Sequence, residues 1–162
     1  MPLVKAGAEV ANDWAFVPDG AALPESGRFT VSFNRYIGLK QGQEKGPLPD
    51  GLRLEPTDEP AAIEPYLADL GLIEVNFPRY TDGRGFSQAQ LLRRRYGYAG
   101  ELRAVGHVLR DQIFYMHRSG FDAYETRRAS LSEVVEALAE ITEAYQPAAA
   151  GPGAAFRKRT GA

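Results

Sequence analysis

Five short segments of the chain alternate apolar and polar residues in the way that half-buried β-strands do. A stretch with helical spacing of apolar residues follows each of them. Gly71, Gly97 and Gly120 fall where three of these helices should end, because glycine adopts the left-handed conformation at a helix end without a Cβ penalty. Strands that alternate with helices predict βα units and a mainly parallel sheet. The predicted strands are 29–33, 51–55, 72–77, 101–105 and 122–127.

The same alternation predicts that one face of the sheet is polar. Helices on both faces of a flat sheet would require nearly continuous apolar strands, which this chain lacks. Because buried charges need partners, the polar face is open to water, paired internally, or curved into the lumen of a partial barrel. Its residues are Thr30, Ser32, Arg53, Glu55, Glu74, Asn76, Glu101, Arg103, Glu125 and Arg127.

We therefore expect an α/β fold of five repeated βα units, with a mainly parallel, curved sheet that resembles part of a (β/α) barrel. The alternative is a flavodoxin-like three-layer sandwich. The 162 residues suit a single domain with a sizeable core, predicted at 1–146. Residues 1–28 form an extended arm that Trp14 anchors, and the composition of 147–162 predicts a flexible C-terminal tail.

Two capping boxes predict where helices begin. Ser87 with Gln90 predicts a helix that starts near Gln88, and Ser130 with Glu133 predicts the start of the last helix. Another helix is predicted at 107–118. The arginine run 93–95 falls mostly outside the apolar stripe of its helix and is expected to be solvated.

Composition narrows the range of functions. A formal net charge of −2 and a pI near 5.7 give no overall field that would attract nucleic acid or anionic lipid. The chain has no cysteine, which excludes disulfides, thiolate chemistry and cysteine-based metal sites within this chain. No apolar run suggests a membrane span or a signal peptide, so the prediction is a cytoplasmic protein without nucleic-acid or membrane partners.

The passage from residue 76 to residue 87 is the best candidate for a binding site. It runs from an apolar strand through Asp82-Gly83-Arg84-Gly85 into a helix start, where exposed backbone N–H groups favour anions. A structural turn, in which Asp82 caps backbone amides and pairs with Arg84, is an equally weighted alternative. Ligands of such sheets bind at the C-terminal strand ends. The candidate ligand-binding residues are Asn76, Arg79, Asp82, Gly83, Arg84, Gly85, Ser87, Arg103, Asp111 and Glu125.

Other sequence patterns give weaker indications of a metal, cofactor or catalytic site. His107 and Asp111 lie four residues apart on a predicted helix, where a surface ion pair is favoured over an acid–base pair or two metal ligands. The chain therefore predicts no metal site. It has neither the lysine-containing phosphate loop nor the dinucleotide fingerprint, so no recognisable motif encodes a cofactor. The catalytic residues stay unknown, and whether the protein is an enzyme stays open.

Five motifs between residues 76 and 123 carry a family resemblance. They are Asn-Phe-Pro-Arg-Tyr-Thr-Asp-Gly-Arg-Gly-Phe-Ser at 76–87, Leu-Leu-Arg-Arg-Arg-Tyr-Gly-Tyr at 91–98, Gly-Glu-Leu-Arg-Ala-Val-Gly at 100–106, Val-Leu-Arg-Asp-Gln at 108–112 and Gly-Phe-Asp-Ala at 120–123. Together they resemble DUF934, a bacterial family of unknown function. Its members are commonly encoded beside assimilatory sulfite reductase. The resemblance thus implies an accessory factor in assimilatory sulfate or sulfite reduction, which binds the reductase or an electron donor.

The resemblance also marks individual residues. Ser119 stands where many members have cysteine, so a family mechanism that requires this thiol would fail here, and His107 stands where an acidic residue is common. The family motif falls on Asp82, Gly83, Arg84, Gly85, Ser87, Glu101, Arg103, Asp111, Gln112 and Asp122.

Two further expectations accompany this implied role. The alternative function is a small enzyme or carrier that binds a sulfur-containing or phosphorylated anion at the Asp82–Arg84 loop. Because an open curved sheet must cover its edges, a homo-oligomer is also expected.

Overall fold

A computed structural model of the chain describes residues 2–126 and 129–139. The strands are β1 Leu3–Lys5, β2 Ala8–Val10, β3 Trp14–Phe16, β4 Arg28–Ser32, β5 Gly51–Leu54, β6 Leu72–Phe77, β7 Glu101–Gly106 and β8 Ala123–Glu125. The α-helices are α1 Phe33–Lys40, α2 Arg84–Gln90, α3 Arg110–Ser119 and α4 Leu131–Ala139. A 3₁₀ helix spans Pro60–Asp69, and a π-helical segment, Leu91–Arg95, continues α2.

The strands form one mixed sheet in the order β2-β1-β8-β7-β6-β5-β4-β3. Neighbouring strands from β3 to β8 are parallel, whereas β1 is antiparallel to both β8 and β2. Each parallel strand is added beside its predecessor in the chain, as in a (β/α) barrel. The flavodoxin-like alternative, which needs the order 2-1-3-4-5, is not the arrangement found.

The sheet is strongly curled. Seven strand spacings would separate the edges of a flat eight-stranded sheet by roughly 34 Å. The edge strands β2 and β3 are nevertheless joined by residues 11–13 alone, and a link of this length spans at most about 14 Å. The eight-stranded sheet therefore forms a half-barrel whose two edges approach each other.

The two sets of alternating strand positions lie on opposite faces of the half-barrel. The outer face packs against the helices and forms the core, as the alternation predicted. The row Ser32, Arg53, Glu74 and Arg103 runs across β4 to β7 on the other face, which is the lumen. The core positions are Phe29, Val31, Leu52, Leu54, Ile73, Val75, Phe77, Leu102, Ala104 and Tyr124.

The start of α2 differs from the prediction. The helix begins at Arg84, about one turn before Gln88, so that Ser87 and Gln90 lie inside it rather than forming a capping box. Packing explains the earlier start, because Gly85 lies directly against β6. A Cβ at this glycine would come within 2.6 Å of Cζ of Phe77, so only glycine lets the first turn rest on the strand.

The capping box of the last helix is confirmed. The backbone N–H of Ser130 donates to Glu133 Oε2 at 2.7 Å, and the N–H of Glu133 donates to Ser130 Oγ at 3.4 Å. Gly120 ends α3 in the left-handed conformation, with a φ of 110°, as predicted. Gly71 is different, because it follows the 3₁₀ helix without a positive φ.

The predicted helix at 107–118 starts later than expected. α3 begins at Arg110, so His107 precedes the helix and does not share a face of it with Asp111. The predicted pairing of these two residues is therefore wrong.

The terminal segments complete the described fold. β1 and β2 form a hairpin, and Trp14 pairs with Arg28 at the opposite edge of the sheet. Residue 127 of the predicted fifth strand and the predicted tail at 147–162 lie outside the described residues. Among the described helices, none combines the length and the apolar composition that crossing a membrane requires.

Candidate functional site

Charged side chains pair with one another inside the lumen. Glu74 on β6 accepts hydrogen bonds from Arg53 Nε at 2.9 Å and from Thr30 Oγ1 at 3.0 Å. Arg103 on β7 donates to Glu101 Oε1 from Nε at 2.9 Å and from Nη2 at 2.7 Å. Its Nη1 lies 3.9 Å from Glu74 Oε1, which links the two pairs. The polar face is thus curved into a lumen and paired internally.

Glu101 holds the end of this charged row. Its Oε2 accepts a hydrogen bond from Lys5 Nζ at 2.6 Å, while its Oε1 accepts from Arg103. Burial alone would raise the pKa of this carboxyl, but the hydrogen bonds from Lys5 and Arg103 outweigh burial and leave the pKa of Glu101 below its ordinary value. The carboxylate therefore stays ionised and joins β1 to β7.

A residue of the N-terminal arm closes the lumen on its open side. Asn12 Oδ1 accepts a hydrogen bond from Arg103 Nη1 at 2.9 Å, and Asn12 Nδ2 donates to Glu125 Oε2 at 3.2 Å. The structure therefore brings together Arg103 and Glu125, two of the candidate residues, through a third side chain that the sequence did not mark. No local pattern could have found Asn12, because its partners lie about a hundred residues away along the chain.

Asn76 lies at the C-terminal end of β6, apart from these contacts. Its Nδ2 donates to both carboxylate oxygens of Glu55, at 3.0 and 2.9 Å. Its Oδ1 would lie 2.5 Å from a Cβ at Gly106, which has a φ of 90°. Gly106 thus accommodates Asn76, whose amide joins β6 to the segment after β5.

The Asp82–Arg84 loop has the contacts of a structural turn. Asp82 Oδ1 accepts from the backbone N–H of Arg84 at 3.1 Å and from its Nε at 3.0 Å, while Oδ2 accepts from Nη2 at 2.7 Å. The hydrogen bonds from the Arg84 side chain and backbone lower the pKa of Asp82. Arg84 is 58% exposed, so a solvent-facing cation is largely neutralised by its own neighbour.

The residues just before this loop, Arg79 and Tyr80, are held in place by neighbouring groups. Gln112 Nε2 on α3 donates to the backbone carbonyl of Tyr80 at 2.6 Å. The Tyr80 ring meets His107 edge-on, with 5.8 Å between ring centres. The backbone N–H of Asp82 also donates to the carbonyl of Arg79 at 3.1 Å. Tyr80 is 54% exposed, and Arg79 is exposed beside it.

The remaining candidate residues lie apart from one another. Asp111 is exposed in the first turn of α3, and Ser87 is exposed within α2. Gly85 is buried and serves packing, whereas Gly83 has open space around its Cα. The structure thus brings candidate residues together in a loop group around Asp82 and a lumen group around Arg103, whereas Asn76, Ser87 and Asp111 belong to neither.

One member of the arginine run is largely shielded from solvent, which corrects the prediction that the whole run is solvated. The Arg93 side chain is 12% exposed and forms an ion pair with Asp122. It donates to the carbonyls of Gly120 at 2.9 Å, Tyr98 at 2.6 Å and Gly100 at 2.9 Å. Its partners Gly120 and Asp122 lie 27 and 29 residues further along the chain, so the local periodicity of this helix cannot reveal them.

The described part of the chain offers no metal cluster, and its largest-volume described cleft lies away from the candidate residues. Within residues 2–126 and 129–139, no group of three or more His, Asp or Glu side chains could hold a metal ion. A cleft of about 840 Å³ lies beside α1, lined by residues of the segments 19–23, 34–38 and 43–47, and it contains none of the candidate residues.

Comparison with known proteins gives one match. A family model described as a bacterial protein of unknown function, DUF934, matches residues 51–156, about two thirds of the chain. No curated protein and no solved structure matches. The matched region contains the loop group and the lumen residues from β5 onward, but neither Lys5 nor Asn12.

Proposed function

The chain belongs to the DUF934 family of bacterial proteins of unknown function, and on this premise we propose that it is a non-catalytic accessory protein of assimilatory sulfate or sulfite reduction. The pathway comes from the resemblance to a family whose members are commonly encoded beside assimilatory sulfite reductase. Its partner is the reductase or the electron donor of the reductase.

The observation that carries this proposal is the loop 79–84. It exposes Arg79, Tyr80 and Arg84 on a support made by Gln112, His107 and the Asp82 turn. Tyrosine and arginine are enriched among the residues that dominate protein–protein binding energy. A loop that is already held in place loses little conformational entropy when a partner binds. These properties favour a contact surface.

The lumen supports a binding role rather than chemistry there. Arg103 is 1% exposed, and Glu74 is buried beside it. Using either group as an acid or a base would leave an opposite charge buried without its charged partner, which costs about 3–5 kcal/mol. The paired groups instead hold the strands of the half-barrel together, so that the outer loops keep their shape.

Growth and purification test this proposal together. A strain that lacks the protein should grow poorly on sulfate and normally on cysteine, since the defect lies in sulfur assimilation alone. The tagged protein, purified from cells grown on sulfate, should carry a component of sulfite reductase or its electron donor. Normal growth of the deletion strain on sulfate would remove the proposal.

The second candidate function is a carrier or small enzyme for a sulfur-containing or phosphorylated anion. The exposed cations Arg79 and Arg84 in one loop support this function, although Arg84 already forms an ion pair with Asp82. A thermal-shift series with sulfite, sulfate, adenylyl sulfates and flavins distinguishes the two functions. Stabilisation that disappears in Arg84→Ala would favour the carrier, and the accessory proposal expects none.

A further inference from the structure

Asn12 occupies the mouth of the lumen in the manner of a bound amide. The carboxamide oxygen accepts from Arg103 Nη1 at 2.9 Å and from the backbone N–H of Trp14 at 3.1 Å. The carboxamide nitrogen donates to Glu125 Oε2 at 3.2 Å. A donor and an acceptor on two neighbouring strands thus receive the two ends of one planar amide group.

Arg103, the group that receives the amide oxygen, is fixed by the barrel rather than by Asn12. The Nε and Nη2 atoms of Arg103 are held by Glu101, and its Nη1 points toward the mouth. Arg103 is 1% exposed, and Glu125 lies at the end of β8. The donor therefore remains in place when the amide is absent, and the acceptor stays on a strand that pairs with β1.

The charge around the mouth favours a neutral ligand over an ion. Among the described residues that hydrogen bonds and ion pairs connect around Arg103 and Glu125, three are cations and three are carboxylates, so both signs of charge are present there. An incoming anion would be attracted by Arg103 but repelled by the carboxylates. An incoming cation would be attracted by the carboxylates but repelled by Arg103. The six groups are Lys5, Arg53, Arg103, Glu74, Glu101 and Glu125.

The link that carries Asn12 is well suited to displacement. Residues 11–13 are exposed, and they lie between β2 and β3 without taking part in the strand pairing of either. Moving the link would uncover Arg103 without breaking any pairing of the sheet. The hydrogen bonds of Asn12 are therefore the main restraint described for this part of the arm.

From these contacts we infer that Arg103 and Glu125 form a binding site for a planar amide group, which Asn12 fills in the isolated chain. The ligand is a carboxamide or a peptide group, whose oxygen accepts from Arg103 and whose nitrogen donates to Glu125. This inference depends on the lumen alone and holds whether or not the pathway proposed above is correct.

Chemical rescue tests the site directly. Asn12→Gly removes four heavy atoms, the same number and connectivity as acetamide, and should lower the melting temperature by several degrees. Acetamide should then raise the melting temperature of N12G more than that of the wild type, because only the variant has an empty site. Acetate and ammonium, which carry a charge, should give no such difference.

Asp13→Gly is the matched control, because it adds the same glycine to the same exposed link and leaves Asn12 in place. Acetamide should affect D13G and the wild type alike. An equal acetamide effect on N12G and D13G, or a larger effect of acetate than of acetamide on N12G, overturns the inference. If N12G fails to fold, Asn12→Ala with formamide provides the same comparison.

A labelled peptide of residues 9–16 distinguishes the sources of the amide. Binding of this peptide to N12G, with loss of binding when its asparagine is replaced by alanine, would identify a polypeptide segment as the ligand. Rescue by acetamide without peptide binding would identify a small carboxamide. Failure of both probes with folded N12G contradicts the site.

Discussion

Arg93 differs in its environment from the two arginines that follow it in the sequence. It is the largely shielded member of a run of three arginines, and its guanidinium ties the end of the π-helical segment to the starts of β7 and β8. Gly120 accommodates it, because a Cβ at this position would collide with Arg93 Cγ. The sequence predicted an exposed arginine run, and contacts with residues remote in the sequence, Gly120 and Asp122, hold Arg93 inward.

Arg93→Ala should destabilise the protein by about 3 kcal/mol or more, because three backbone carbonyls lose a hydrogen-bond donor and Asp122 loses its ion pair. Arg95→Ala is the control, since this exposed side chain stacks only loosely on Tyr96 and should change stability by about 0.5 kcal/mol or less. Urea denaturation of both variants measures the difference. Equal stabilities of the two variants would contradict the clamp.

Glu101 gives the lumen a dependence on pH. Since the folded-state pKa lies below the ordinary value of 4.5, the contribution of this carboxylate to stability is complete above that value. It is lost as the pH falls through the lower pKa of the folded state. Glu101→Gln should therefore reduce stability at neutral pH and flatten the acid side of the stability profile.

Melting temperatures from pH 7 downward check this expectation, with the exposed Glu64→Gln as the control that should follow the wild type. A Glu101→Gln profile parallel to that of the wild type throughout the acid range would show that the carboxylate does not contribute as described.

At the scale of elements, local sequence patterns predicted the bounds of helices and strands correctly where no tertiary contact opposed them. The capping box at Ser130 begins α4 as predicted, and β6 has the predicted bounds of Leu72–Phe77. The box at Ser87 failed because the chain packs Gly85 onto β6 one turn earlier. The prediction from strand alternation is confirmed, because the two-residue period of a strand fixes which side chains share a face.

The two glycines at the start of α2 have opposite roles. Gly85→Ala should cost about 1–3 kcal/mol through overpacking, since its Cβ would lie 2.6 Å from Phe77 and 3.0 Å from Val75. Gly83→Ala should stay within about 1 kcal/mol of the wild type, because nothing lies within 4 Å and its φ is −84°. Thermal unfolding of the pair tests the packing; a cost at Gly83 as large as at Gly85 would argue against it.

The candidate site was predictable only in part. Periodicity placed Arg103 and Glu125 on one polar face, and the alternative interpretation of the central loop anticipated the Asp82–Arg84 pair. The contacts of Asn12 depend on how the arm crosses the lumen, which is a property of the curled sheet rather than of any local segment. Such long-range contacts leave no periodic signal.

At the scale of the molecule, the two edge strands β2 and β3 of the half-barrel each pair on one side only among the described residues. All three residues of β2 are exposed, as are Ala15 and Phe16 of β3. Exposed edges pair readily with a second copy, so a homo-oligomer stays the prediction. Analytical ultracentrifugation should show self-association that Val10→Lys weakens, because lysine on an edge opposes pairing. A wild-type monomer at high concentration contradicts it.

We assign the exposed loop 79–84 to partner binding and the paired lumen to holding the scaffold. Direct binding to purified assimilatory sulfite reductase, or to its electron donor, tests this assignment most directly. The wild type should bind, and Tyr80→Ala with Arg84→Ala should weaken binding at least tenfold at an unchanged melting temperature, while Arg95→Ala binds normally. Absence of wild-type binding to both partners, or equal binding by the loop variant, would contradict the account.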